Sequence, residues 1–319
     1  MSEIPSAEAS VARADLAVLL EKVTKTFGKH EAVKELSLNV PRGSIYGFIG
    51  PNGSGKTTTI RMILHIFHPD SGEVEVLGNQ STRSANDRIG YLPEERGLYR
   101  KQKVNRVLQY FGALKGMSRR DANASINHWL ERMGLSEWAH KKVEALSKGM
   151  AQKIQFVSAV MADPELIILD EPFSGLDPVN LEVIRDAILD LRQQGRTIIF
   201  STHDMSMAER MCDSIFMIYK GRKVLDGSMH EIQSAHGEDR YRLGAEGSLD
   251  FVREIDGVSD AKEINGHMEL KYVGESQKLL RAVMDKTPVT HFEVAKPSLH
   301  DIFVRIARPT TEEAAHGKN

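Results

Sequence analysis

The sequence predicts an α/β fold with a mixed, largely parallel sheet and a helical insert, followed by a small C-terminal α+β domain. Short apolar strands alternate with helices up to about residue 230, one strand runs directly into a glycine-rich turn, and the pattern changes after about Glu238. Strands that alternate with helices pair in parallel, because each helix returns the chain to the same end of the sheet. The chain of 319 residues is long enough for about two domains.

The first strands come in quick succession. Residues 16–23, 34–40 and 44–49 are short apolar stretches typical of strands, and a helix is expected to begin near Gly55. Two more strands are then expected, at 73–77 and 89–92.

A helical insert interrupts this alternation. Residues 104–143 have helical periodicity and no strand pattern, which predicts an insert at about 96–146. The alternation then resumes with helices expected at 146–162, 179–193 and 205–211, and strands at 166–169, 197–201, 214–219 and 223–226.

The C-terminal residues predict a separate domain. A strand–helix–strand–strand–helix–strand order is expected across 241–295, with a last amphipathic stretch at 299–307. The predicted division of the chain is a flexible tail at 1–15, a first domain at 16–236, an accessory domain at 237–308 and a second flexible tail at 309–319.

The composition excludes several classes of protein. Cys212 is the only cysteine, so an internal disulfide and any site with several thiolate ligands are excluded. A membrane-spanning helix needs roughly 20 mostly apolar residues, whereas the apolar runs here are short, as at 166–169. Residues 1–15 lack the apolar core of a signal peptide. We therefore expect neither a membrane span nor a signal peptide.

The charge is unevenly distributed. The formal net charge is −2, but residues 96–153 contain 13 Lys or Arg and 4 Asp or Glu, a local net charge of +9. This basic segment is either a solvated helical face or a surface that meets phosphates, lipid head groups or an acidic partner.

A phosphate-binding motif occupies the glycine-rich turn. It matches G-x-x-x-x-G-K-[ST] between a predicted strand and a predicted helix, where backbone N–H groups and the helix N-terminus bind phosphate. Lys56 is expected to reach the β- and γ-phosphates, and the Thr57 hydroxyl to bind Mg²⁺. The nucleotide-binding residues predicted here are Gly50, Pro51, Asn52, Gly53, Ser54, Gly55, Lys56, Thr57 and Thr58.

Two acidic residues follow the buried strand at 166–169. Asp170 lies at the predicted carboxyl end of this strand, where it is expected to bind the Mg²⁺ ion or its waters. Glu171, the next residue, is expected to polarise an attacking water. In isolation, acidic residues after a strand are common, and the phosphate-binding motif gives this pair its significance.

A third motif opens the helix that precedes this strand, in the order Leu146, Ser147, Lys148, Gly149, Met150. A serine at a helix start is first of all an N-cap. Together with the helix dipole, however, Ser147 and Gly149 would also suit contact with a second phosphate group.

With these motifs in order, the chain resembles the nucleotide-binding subunit of an ATP-binding cassette (ABC) transporter over about residues 16–230. Phe27 resembles the aromatic that stacks on adenine, and residues 50–57 resemble the Walker A loop. Residues 146–150 resemble the signature usually written LSGGQ, and residues 166–171 the Walker B strand. Asp177, in the run 174–177, resembles the D-loop aspartate, and His203 the switch histidine that senses the γ-phosphate.

Two departures from the family pattern stand out. Glu94 occupies the position where the family usually has Gln; a carboxylate can still coordinate Mg²⁺ or its water, but it adds repulsion near the γ-phosphate. In the signature, Lys148 and Met150 replace Gly and Gln, while Ser147 and Gly149 remain.

The resemblance implies an ATP-driven dimer of cassettes, either a homodimer or a heterodimer. Ser147 and Gly149 of one chain would close on the ATP held by Lys56 and Thr57 of the other. Glu171 and His203 would then position water for hydrolysis, with Thr57, Asp170 and Glu94 as the implied Mg²⁺ ligands. ATP and Mg²⁺ are thus the implied cofactors.

The resemblance also implies partners and a location. Separate transmembrane permease subunits would dock at the helical insert, placing the chain peripherally at the cytoplasmic face of the membrane with the basic segment near anionic head groups. Residues 92–99, 171–180 and 297–303 look like the ABC-2 export branch, particularly ATPases likened to sodium-extrusion subunits, which favours export over uptake.

Two alternatives belong to other classes of protein. One is a soluble ABC ATPase acting on nucleic acid or ribosomes, with the basic segment as its phosphate contact. Its known forms have two cassettes in one chain, a long coiled coil or zinc-binding cysteines, none of which occurs in this sequence, so nucleic acid is not expected as a partner. The other is a P-loop kinase, which would not need the signature or the D-loop.

Overall fold

The computed structural model describes residues 12–79, 86–95, 97–237, 240–264 and 266–307. The two predicted tails lie mostly outside these ranges, although Arg13–Asp15, at the end of the first, form a short 3-10 helix. The chain divides into two compact units, Met1–Ser228 and Met229–Asn319. The boundary predicted from sequence lies instead at residue 236, so the two divisions differ in where they assign the helix Met229–His236. Within the described ranges, no helix has both the length and the apolar character to cross a bilayer.

A small antiparallel sheet begins the first unit. Its strands, in the spatial order β2-β1-β4, are β1 (Leu16–Phe27), β2 (His30–Pro41) and β4 (Ser71–Val76). Only Gly28 and Lys29 separate β1 from β2, and so short a connection joins antiparallel strands. The sequence predicted these strands but not that they form a sheet of their own.

A six-stranded sheet carries the motifs. Its spatial order is β5-β6-β7-β3-β8-β9, and every neighbouring pair is parallel except β8 with β9. Its strands are β3 (Ile45–Ile49), β5 (Ile89–Leu92), β6 (Leu166–Asp170), β7 (Thr197–Thr202), β8 (Ser214–Tyr219) and β9 (Arg222–Ser228). The predicted mixed, largely parallel sheet is confirmed.

Both faces of this sheet are covered. Ile167 and Leu169 of β6 pack in a core that includes residues of α2 to α6, whereas Leu166 and Ile168 face the antiparallel sheet and α1. This alternation follows from the two-residue period of a strand. The α-helices described in the first unit are α1 (Lys56–Ile63), α2 (Val104–Leu114), α3 (Arg119–Arg132), α4 (Lys148–Val160), α5 (Pro178–Gln193) and α6 (Met205–Met211).

The second unit is a small α+β domain with its own core. An antiparallel sheet in the order β11-β12-β10-β13 comprises β10 (Arg240–Ala245), β11 (Val258–Ile264), β12 (His267–Tyr272) and β13 (Val289–Val294). Its α-helices are α7 (Met229–His236), α8 (Ser276–Met284) and α9 (Leu299–Ala307). The first of the two helices predicted within 241–295 is instead a five-residue 3-10 helix, Asp250–Glu254. It ends there because Gly257, with φ +85°, turns the chain directly into β11.

Candidate functional site

The loop between β3 and α1 needs glycine at two positions. Gly50 has φ +152°, and a Cβ there would lie 2.3 Å from the carbonyl oxygen of Ile218. Gly55 has φ +115°, and its Cβ would lie 2.7 Å from the carbonyl oxygen of Ala32. Only a residue without a side chain fits such contacts. Both glycines therefore let the loop pack against the neighbouring strands and turn sharply into α1.

Lys56 begins α1 and turns back over the loop. Its ammonium Nζ donates hydrogen bonds to the carbonyl oxygens of Gly50, at 2.7 Å, and Pro51, at 3.2 Å. The side chain is buried, and this burial lowers the pKa of Lys56, while Glu171, Asp170 and Glu94 act in the opposite direction. Three carboxylates thus lie close enough to influence the buried ammonium.

Ser201 of β7 positions the two acidic residues that follow β6. Its hydroxyl Oγ donates a short hydrogen bond to Asp170 Oδ1 and accepts one from the backbone N–H of Glu171, at 3.1 Å. Glu171 has φ +51°, a left-handed conformation that non-glycine residues seldom adopt. Such strain persists only where the surroundings fix the backbone, as Ser201 does here.

Glu171 meets His203, which follows the end of β7. The His203 ring nitrogen Nδ1 lies 3.0 Å from Glu171 Oε1. The Glu171 side chain is only 10% exposed, whereas that of His203 is 64% exposed. The histidine therefore extends outward from a buried carboxylate.

Lys56, Asp170 and Glu171, together with part of the loop between β3 and α1, line one cleft of about 460 Å³. Phe27 lies at its edge with 43% exposure, and its ring meets the Phe67 ring edge to face at 5.3 Å. The complete lining is Phe27, His30, Ala32, Asn52, Gly53, Gly55, Lys56, Thr57, Thr58, Glu94, Asp170 and Glu171. The structure thus gathers the predicted adenine contact, most of the phosphate loop and all three predicted carboxylates around one space.

The oxygen ligands in this cleft fit Mg²⁺. Thr57, Glu94 and Asp170 line it together, and Asp170 Oδ2 is buried with no hydrogen-bond partner. Mg²⁺ keeps several waters and takes one or two carboxylates together with substrate phosphates. Among the residues that the structure describes, no group of three or more His, Cys, Asp or Glu side chains is arranged to hold a metal. A hydrated ion shared with phosphate suits this donor set better than an ion enclosed by protein.

The signature residues lie elsewhere. Ser147 caps α4, its hydroxyl accepting a hydrogen bond from the Met150 N–H at 3.2 Å, so the N-cap interpretation is correct. Ser147 and Lys148 border a second groove of about 450 Å³, which shares no lining residue with the cleft. Gly149 is buried, and a Cβ there would lie 3.2 Å from Asn180 Nδ2.

Asp177 is also outside the cleft. It is exposed at the start of α5, where its carboxylate accepts hydrogen bonds from the backbone N–H of Asn180, at 3.0 Å, and from the Asn180 side-chain amide. These hydrogen bonds, that from the backbone first, lower the pKa of Asp177. Within one chain this aspartate is a helix cap.

The sequence reasoning missed several residues around the cleft. His30 and Ala32 line it from β2, and Ser201 holds both acidic residues. Tyr91 of β5 was also missed, although it lies close enough to interact with Asp170. Burial, together with the charge of Asp170, raises the pKa of Tyr91 to about 12. The sequence signal available for Ser201 was its place at the end of the strand predicted at 197–201, two residues before His203.

Models of known families match both units. The model described as "ABC transporter" matches residues 33–174, and that described as "ATP-binding protein DrrA1-3-like, C-terminal domain" matches residues 227–307. A further model, "AAA domain, putative AbiEii toxin, Type IV TA system", matches residues 142–208, which are only part of the first unit.

Curated relatives and a solved structure agree with these matches. An uncharacterized ABC transporter ATP-binding protein, YhaQ of Bacillus subtilis, is 42% identical, covering 89% of this chain and 96% of the relative. The Nod factor export ATP-binding protein I of Burkholderia lata is 34% identical, and the match covers 89% of this chain and 94% of that protein. A solved structure of the ATP binding subunit of an ABC transporter is 27% identical with a TM-score of 0.65, and the match covers 69% of this chain and 93% of that one. The chain therefore belongs to the ABC transporter ATP-binding proteins, as its motifs indicated, and it is an ABC transporter ATPase.

Proposed function

We propose that the chain hydrolyses ATP with Mg²⁺ as one half of a head-to-tail dimer and thereby drives export through separate transmembrane permease subunits. The observation that carries this proposal is the position of Glu171. Its carboxylate lines the same cleft as Lys56 and contacts His203 at 3.0 Å. A buried carboxylate next to a phosphate-binding lysine is placed to act on water at a terminal phosphate.

Each residue predicted for the site has a role in this proposal. Phe27 stacks on the adenine, and the loop at 50–58 binds the phosphates, with Lys56 supplying positive charge. Thr57, Asp170 and Glu94 would hold Mg²⁺, which neutralises phosphate charge when bound. Glu171 accepts the proton of the attacking water, and His203 orients Glu171 and senses the γ-phosphate.

The position of the signature supports a dimer. Ser147 lies at an exposed helix N-terminus outside the cleft of its own chain. Helix N-termini bind anions, because their N–H groups and dipole favour negative charge. We infer that Ser147 and Gly149 meet the ATP of a second cassette, with Asp177 close to the same junction, and that hydrolysis reopens the dimer.

The helical insert has features of a surface that docks a membrane partner. Lys103 and Lys142 form a β-bridge, which brings basic stretches from both ends of the insert side by side. Tyr99 and Tyr110 are about half exposed and meet edge to face at 5.6 Å. Exposed tyrosines in an insert that also carries a basic bridge suit a site near permease loops and anionic head groups at the cytoplasmic face of a membrane.

The direction of transport is inferred from the relatives. Proteins named as Nod factor export ATP-binding proteins match along about nine-tenths of this chain. The second unit matches the DrrA1-3-like C-terminal domain. We therefore propose export as the direction.

Replacing Glu171 tests the proposed function. Glu171→Gln keeps the shape of the side chain and removes the base, so ATP hydrolysis by the purified chain should fall by on the order of 10² to 10⁴. Binding of a fluorescent ATP analogue should persist, and sedimentation should detect a dimer held closed by unhydrolysed ATP.

The matched control is Glu131→Gln on the exposed face of α3, which should hydrolyse ATP like the wild type. Unchanged hydrolysis in Glu171→Gln would refute the assignment of the base. Hydrolysis stimulated by RNA or DNA, with no membrane protein co-purifying, would instead favour the nucleic-acid alternative.

A further inference from the structure

A buried glutamine of α4 holds the loop that carries Glu94. Gln155 is 3% exposed, and its amide Nε2 donates hydrogen bonds to the carbonyl oxygens of Pro93, at 3.0 Å, and Glu95, at 3.1 Å. These two carbonyls lie on either side of Glu94. One side chain therefore fixes the backbone around Glu94, while the Glu94 carboxylate faces the ATP cleft.

The amide of Gln155 is oriented by these two bonds. Two carbonyl oxygens require the NH₂ group, because the amide oxygen would be repelled there. In this orientation Gln155 Oε1 is buried without a hydrogen-bond partner, which carries a desolvation cost. The pair of bonds to the loop thus outweighs an unsatisfied acceptor.

The same helix also holds the backbone after Glu171. Gln152, one turn before Gln155, donates a hydrogen bond from Nε2 to the Pro172 carbonyl oxygen at 3.1 Å. Ser147 caps the N-terminus of this helix. At a rise of about 1.5 Å per residue, Gln155 lies roughly 12 Å along the helix from that cap.

We propose that Gln155 is a positioning residue that places Glu94 in the ATP cleft by tying its loop to the signature helix. This proposal rests on the proposed function, because it assumes that the cleft hydrolyses ATP. Through this tie, the Glu94 carboxylate, which faces the ATP of its own chain, would move together with the N-terminus of α4, which would close on the ATP of the second chain. Gln155 itself does not line the cleft.

The test is a double-mutant cycle between Gln155 and Glu94. Gln155→Met keeps the length of the side chain and removes both donors, so kcat for ATP hydrolysis should fall by on the order of ten-fold, with a smaller change in KM. In a Glu94→Ala background, where no carboxylate or amide remains to be positioned, the same substitution should have little further effect, since coupled residues are not additive.

Two further measurements separate positioning from folding. In Gln155→Met, amide hydrogen exchange should become faster in the peptide spanning residues 93–95, with the melting temperature staying near that of the wild type. Gln109→Leu is the matched control, because it removes an amide hydrogen bond at 2.8 Å to Asn123 within the insert. It should leave kcat and exchange at 93–95 unchanged.

Each outcome is decisive. If the wild type hydrolyses ATP and Gln155→Met does so equally fast, the positioning role is refuted while the proposed function stands. An equal loss in both Glu94 backgrounds would likewise overturn it, because Gln155 would then act elsewhere. A wild type without hydrolysis refutes the proposed function itself. If Gln155→Met fails to fold, Gln155→Leu, which also removes both donors and adds no charge, replaces it in the cycle under the same criteria.

Discussion

The ATP cleft and the signature end of α4 differ in what one chain supplies. The cleft joins residues from both sheets and α1 around about 460 Å³, and its lysine is buried against backbone carbonyls. The signature end is an exposed helix start whose serine hydroxyl already serves its own backbone. In the proposed dimer, the cleft therefore binds the nucleotide with residues of one chain, and the signature end meets the phosphate held by the other chain.

Removing the signature hydroxyl tests this difference. Ser147→Ala should lower hydrolysis by roughly ten-fold or more, since a hydrogen bond to a charged group is worth about 1.5–3 kcal/mol. Binding of ATP by the isolated chain should stay unchanged, because Ser147 does not line the cleft. Parallel measurements of ATPase rate and of ATP affinity check both expectations.

Ser118→Ala is the matched control for Ser147→Ala. Ser118 caps α3 by accepting a hydrogen bond from the Asp121 N–H at 3.1 Å, much as Ser147 caps α4. Each substitution should cost about 1 kcal/mol of stability through the lost cap. If both variants lose the same share of activity, Ser147 acts only as a cap.

A smaller effect is expected at the edge of the cleft. Phe27→Ala should weaken ATP binding by about 1 kcal/mol, the low end of base–aromatic stacking, because the ring is already 43% exposed. Phe27→Tyr should restore most of the affinity, and kcat at saturating ATP should hardly change. Equilibrium titration with ATP measures this; equal affinities for the wild type and Phe27→Ala would remove Phe27 from the adenine site.

The sequence was most informative where chemistry and local order coincide. The phosphate loop and the pair Asp170 and Glu171 were predictable, because glycines and acidic residues follow apolar strands there. The signature helix cap was predictable for the same reason, since a serine precedes a helical pattern.

Contacts between distant segments were not predictable in this way. The two hydrogen bonds from Gln155 to the loop at 93–95 join residues that are 62 and 60 positions apart in the sequence. Nothing in the local pattern distinguishes Gln155 from other polar residues of a helix, and only the packing of α4 reveals its partners. Ser201 is similar, because its role depends on the parallel register of β6 and β7, which places it opposite Asp170.

The central claim is that one ATP site takes residues from two chains, and mixing two variants with impaired hydrolysis tests it most directly. Lys56→Ala disables the cleft and leaves the signature intact, whereas Ser147→Ala does the reverse. A mixed dimer would carry one site with both parts intact, while neither homodimer would have any. The account predicts that the mixture hydrolyses ATP well above the sum of the two variants measured separately. A rate no higher than that sum, with mixed dimers demonstrated to form, would contradict the account.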